Sequence, residues 1–160
     1  MSVLISFISI AVLTAVDQVI KFVVERYLQP IGSVEFINGF IGWNYVRNTG
    51  AAFGSFSQST TLLSIVTGIV ILAGIVLIAT KKIKSKFYLT CAVMVISGGL
   101  GNLIDRVLKG YVVDFIEVQF TDFAVFNFAD ILVTVGAIAI MFYVIVDMFR
   151  ERKKTGEKHE

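Results

Sequence analysis

The chain has 160 residues, 56% of them hydrophobic and only 16% charged, with 14 Lys and Arg against 12 Asp and Glu. Its mean hydropathy of +0.83 lies well outside the composition of a soluble domain. A soluble enzyme is therefore excluded, and the reading begins from the membrane.

Four stretches reach the roughly 20 mostly apolar residues that a bilayer span requires. They run from about 3 to 24, 61 to 80, 87 to 108 and 129 to 149. The expectation is an all-α membrane protein with four transmembrane helices and a small extracytoplasmic β-hairpin or sheet, forming one integral-membrane domain over residues 1–160. The first span follows Met1-Ser2, which offers no basic residue, and no small-residue cleavage signature comes after it. It reads as a permanent span rather than a cleavable signal. Asp17 and Lys21 lie on it at i, i+4, the spacing that puts an acid and a base on one helix face.

Between the first two spans, residues 34–46 carry Asn38-Gly39 between β-prone runs, a strong hairpin signal. Phe36, Phe40, Trp43 and Tyr45 of this hairpin are suited to the headgroup level. A hairpin that merely packs on helix ends is the alternative to one that holds substrate. Asn48-Thr49-Gly50-Ala51-Ala52-Phe53-Gly54 follows, a small and flexible segment whose backbone amides can approach a peptide closely.

Lys81, Lys82, Lys84 and Lys86 mark the turn between the second and third spans, and Arg150, Arg152, Lys153, Lys154 and Lys158 mark the tail. The positive-inside rule makes both basic segments and both termini cytoplasmic, so that 25–60 and 109–128 face outward. The tail from Arg150 onward reads as a frayed, solvated end.

The third span ends in Gly98-Gly99-Leu100-Gly101-Asn102-Leu103-Ile104-Asp105-Arg106. Its glycines thin one face for a neighbouring helix or a peptide, and Asn102, Asp105 and Arg106 form a polar stripe beyond it. Asp105 with Arg106, like Asp17 with Lys21, reads first as a pair that ties the bundle together. The link 109–128 places Asp114 near one end, and Asn127-Phe128-Ala129-Asp130 at the other has the spacing of an N-cap followed by an acid at the third helical position.

Exclusions narrow the chemistry. The single histidine, His159, lies in the charged tail, so neither a Ser-His-Asp arrangement nor a histidine metal site can be built. The single cysteine, Cys91, sits inside an apolar span without a base and reads as a small buried residue. Ser97 has no lysine in the outer half of its helix. Asp114 and Asp130 remain, each in apolar surroundings at the edge of a span and without a cation at helical spacing. Two close carboxylates cannot both ionise easily, so one holds a proton and the other does not, which equips them for aspartyl peptide hydrolysis. A channel or proton-coupled carrier would also keep acids in a bundle, but inverted repeats and a discontinuous span are lacking. A structural or assembly factor accounts for the hairpin and not for the two acids.

The set Asp17-Gln18-x-x-Lys21, Asn48-x-Gly50-x-Ala52-Phe53, the glycine-rich stretch through Asp105-Arg106, Val112-Val113-Asp114-Phe115 and Phe126-Asn127-x-Ala129-Asp130 resembles the bacterial type II, or lipoprotein, signal peptidases. The resemblance runs from the first helix to the start of the fourth. It implies an aspartyl endopeptidase of the inner membrane that removes signal peptides from prolipoproteins just before the diacylglyceryl cysteine. It further implies Asp114 and Asp130 as the catalytic dyad, with Asn48, Gly50, Asn102, Arg106 and Asn127 lining or supporting the site and Asp17, Lys21 and Asp105 behind them. Diacylglyceryl prolipoproteins and membrane lipids are the implied partners; no cofactor, nucleic acid or obligate protein partner is implied. One departure is that the link 109–128, which corresponds to a loop over the site, is short and apolar here.

Overall fold

The structure is a computed structural model that describes residues 2–50 and 60–156, with side chains through Phe149. The elements in chain order are α1 (Val3–Tyr27), β1 (Ser33–Ile37), β2 (Ile41–Asn48), α2 (Thr60–Ala79), α3 (Lys86–Lys109), β3 (Val112–Val118) and α4 (Phe128–Gly156). Four helices are long and apolar enough to cross a bilayer. They lie within a few residues of the stretches picked by hydropathy. Part of the 48–54 motif, residues 51–54, falls outside the described residues.

α3 is the central helix. It packs on α1, α2 and α4, whereas α1 meets α2 and α4 only lightly. Nine of its residues are buried, against four of α1 and two of α2. Ile10, Ile71, Ile78, Leu89, Val93 and Ile96 form its apolar core, while Leu62, Ile65 and Ile69 of α2 stay on the outer surface where lipid would lie. Lipid tails are as apolar as leucine, so such helices associate through close backbone approach rather than hydrophobic exclusion. Gly98 and Gly101 supply it. A β-carbon at Gly98 would run into the Ala129 carbonyl of α4, and one at Gly101 into the Asp17 carboxylate of α1.

The hairpin expected around Asn38-Gly39 is β1–β2, with Gly39 at φ 72° and Phe40 N donating to Ile37 O at 2.9 Å across the turn. The link 109–128 is more than a loop. Gly110, at φ 79°, ends α3 and sends the chain into β3, which pairs antiparallel with β2 to complete the sheet order β1-β2-β3. The β-branched and aromatic residues of Val112–Val118 suit a half-buried strand, and the free edge of β2 gives them a ladder. Successive strand residues point to opposite faces. Phe115 accordingly stacks on Trp43 with ring centroids 6.0 Å apart, over a groove shared with Val19, Val23 and Tyr27 of α1, while Asp114 turns the other way.

At the far end, α4 continues as helix through Gly156 where a frayed tail was expected. Met, Glu, Arg and Lys are good helix formers, and no glycine or proline interrupts the run from Ala137 to Thr155.

Candidate active site

The site grows from the first turn of α4. Asn127 Oδ1 accepts from Asp130 N at 2.9 Å, and Asp130 Oδ2 accepts from Asn127 N at 3.1 Å. This is a reciprocal capping box, and it satisfies amides that the helix itself leaves without partners. A third donor of that turn, Ala129 N, reaches across to Asp17 Oδ1 of α1 at 3.1 Å. The carboxylates of Asp17 and Asp130 therefore both lie at the positive end of α4, where negative charge is favoured.

Asp17 is in turn fixed by Lys21, whose Nζ lies 3.0 Å from Asp17 Oδ2, 3.2 Å from Asp105 Oδ2 and 2.8 Å from Asn102 Oδ1. All of Lys21, Asp17 and Asp105 are fully buried. Asp105 continues outward to Lys109 at 3.0 Å, and Lys109 to Glu25 at 2.8 Å. The expected Asp105–Arg106 pair does not form. Adjacent residues on a helix point in different directions, so Asp105 turns to Lys21 and Lys109 while Arg106 lines the cavity described below. Asp105 Oδ2 also accepts from Val113 N at 3.2 Å, which pins β3 to α3 one residue before Asp114.

Asp114 is buried, and each of its oxygens takes an amide: Asn48 Nδ2 donates to Oδ2 at 2.8 Å and Asn127 Nδ2 to Oδ1 at 2.6 Å. Burial, together with the Asp130 charge, raises the Asp114 carboxyl from 3.8 to about 6, against the pull of these two amides. Asp130 Oδ1 takes Asn102 Nδ2 at 2.7 Å. Each asparagine has its orientation set by a group that can only donate: Asn48 by Gly50 N at 2.9 Å, Asn102 by Lys21 and Asn127 by Asp130 N. Their NH2 groups are thereby all turned toward carboxylates.

Asp114 and Asp130 line one cavity of about 420 Å³ together with Asn48, Gly50, Asn102 and Arg106. Its remaining wall is apolar, from Val112, Phe123, Val125, Phe126, Ile131, Val133 and Val135. Arg106 Nε has no hydrogen-bond partner among the described residues. The candidate residues named from sequence thus gather at one end of the bundle, with Asp17, Lys21 and Asp105 beneath the cavity. Cys91 and Ser97 lie apart and buried within α3, and the Ser97 hydroxyl donates to Val93 O at 2.6 Å. Sequence reasoning missed Glu25 and Lys109 as members of the charge cluster. Nothing in the chain signals a contact between residues 84 positions apart.

A four-span bundle with a capped, paired-carboxylate cavity at one end has the layout of a membrane aspartyl hydrolase. The profile described as Signal peptidase (SPase) II matches residues 9–146. A lipoprotein signal peptidase of Caldanaerobacter subterraneus is 41% identical over 142 residues, covering 88% of this chain and 95% of that protein. One of Clostridium acetobutylicum is 39% identical over 151 residues, covering 92% and 96%. A bacterial membrane enzyme solved in meso at 2.3 Å resolution superposes with a TM-score of 0.81 at 34% identity, over 89% of this chain and 88% of that one. The chain belongs to the signal peptidase II family.

Proposed function

We propose that Asp114 and Asp130 are the acid–base pair with which this membrane enzyme removes signal peptides from prolipoproteins, cutting just before a cysteine that carries diacylglycerol. Signal-peptide removal is the activity carried by the family and by relatives that match nearly the whole chain. The observation that supports the dyad is the convergence of both carboxylates on one cavity, each held by amide donors.

Asp130, ionised at the helix N-terminus, takes a proton from water as the water oxygen bonds to the scissile carbonyl carbon. Protonated Asp114 donates a hydrogen bond to the developing oxyanion and then gives its proton to the amine as the C–N bond breaks. Asp130 is left protonated and Asp114 ionised, and transfer of one proton between them restores the starting pair. Arg106 Nε, without a hydrogen-bond partner among the described residues, is a donor available to the peptide backbone. A signal peptide is itself an apolar helix, so it enters sideways from lipid against the apolar wall of the cavity. Four lysines in the 81–86 turn and five basic residues in the tail support a cytoplasmic side for those segments, with the dyad near the outer face.

The direct experiment is cleavage of a diacylglyceryl-modified lipopeptide by the purified protein. Asp114→Asn and Asp130→Asn should each lower turnover by several orders of magnitude while leaving membrane insertion intact. A single variant that keeps more than about a tenth of the wild-type rate would remove the dyad assignment.

A further inference from the structure

We propose that Lys21 is a positioning residue for the dyad: its ammonium locks the amide of Asn102 so that the NH2 group faces Asp130. This rests on the dyad reading above and adds to it a group outside the cavity that fixes how Asp130 is held.

Lys21 Nζ has three protons and three acceptors, namely Asp17 Oδ2, Asp105 Oδ2 and Asn102 Oδ1. It is fully buried and held between two carboxylates, and it has no lone pair to offer. The Asn102 carbonyl is therefore the only end of that side chain that can face it, at 2.8 Å. The other end is then an NH2 group, 2.7 Å from Asp130 Oδ1. Asn127 Nδ2 adds a second donor to Asn102 Oδ1 at 3.1 Å and strengthens the same orientation. An NH2 donor stabilises a carboxylate and cannot accept the proton of a carboxylic acid. The placement of this donor is thus transmitted from a cation on α1, through one amide on α3, to an acid on α4.

Other charges around the relay do not substitute for it. Asp17, Asp105 and, farther out, Lys109 and Glu25 hold Lys21 in place from α1 and α3. Arg106 lies in the cavity with both acids and makes no contact with the Asn102 carbonyl that is shown by a hydrogen bond. On the β3 side, Asp114 is held by Asn48 and Asn127.

The test reads the pH dependence of kcat on a lipidated peptide. Lys21→Met removes the charged anchor of the Asn102 amide and leaves Asn127 Nδ2 alone to orient it, and the acidic limb should move to higher pH by about one unit, the smallest shift typical of losing a nearby opposite charge. Lys21→Arg keeps donors and charge and should restore the limb. Because Lys21→Met strands two buried carboxylates, the double variant Lys21→Met/Asp105→Asn is measured beside it. That variant leaves the cluster's net charge unchanged and keeps an acceptor for Val113 N, yet still lacks the ammonium that anchors the Asn102 carbonyl. A displaced limb in the Met variants with return in Lys21→Arg supports the proposal. A wild-type limb in the folded double variant overturns it, even where Asp114→Asn and Asp130→Asn are inactive and the dyad itself stands.

Discussion

Asn127 and Asp130 hold each other at the mouth of α4, side chain to backbone in both directions, at 2.9 and 3.1 Å. The same Asn127 side chain gives its NH2 group to Asp114 at 2.6 Å. One asparagine therefore spaces the two acids, and its own orientation is dictated by the helix it caps.

Replacing Asn127 by alanine removes both functions. The start of α4 should lose about 1 kcal/mol, and the acidic limb of the cleavage profile should rise as the turn carrying Asp130 loosens. Thermal unfolding and a pH–rate series would measure the two effects separately. Loss of activity with a wild-type limb would show instead that Asn127 contacts substrate.

The acids should fail together. Groups that act as one unit are strongly non-additive, so Asp114→Asn/Asp130→Asn is expected to be scarcely slower than either single variant. Single-turnover rates on a lipopeptide would check this. A product of the two single effects in the double variant would mean that each acid works alone.

Asp114 also makes stability depend on pH. Its carboxyl titrates at about 6 in the folded protein against 3.8 when unperturbed. Between these values the folded state keeps a proton that the unfolded state has lost, so stability falls as pH rises and the loss is complete above about 6. The full penalty is at most about 3 kcal/mol. Asp114→Asn lacks it. The difference in melting temperature between the variant and wild type should grow in the variant's favour from pH 4 to pH 8 in detergent. A constant difference would contradict the raised carboxyl.

Orientation can be read by cysteine labelling. Ser85 and Thr155 should be reached only from the cytoplasm, and Gly39 and Gln119 from outside, because nine of the 14 basic residues lie in the two inner segments. Labelling at Gly39 only after lysis would reverse the assignment.

Much of this architecture was legible in the chain because membrane spans advertise themselves by length. Asn38-Gly39 announced the hairpin, and the 127–130 spacing announced the capping box. Asp114 and Asp130 stood out as acids in apolar surroundings. β3 was not visible, since a short apolar run reads equally as a buried link until a partner edge is known, and β2 lies far upstream. The partners of Asp105 were misread for a similar reason: proximity along a helix suggested Arg106, whereas the bundle brings in Lys21 from another helix. Contacts between helices depend on rotation about each axis, which a single sequence encodes only weakly.

Asp17 and Ala129 are 112 positions apart, so the first helix is synthesised well before the amide it serves. Lys21 answers this within the same helix. At i, i+4 and 3.0 Å it offsets the Asp17 charge within α1 itself, and the pair persists when Asp105 and Asn102 join it in the bundle. Two residues one helical turn apart thus lower the cost of carrying an acid in lipid without waiting for the rest of the bundle.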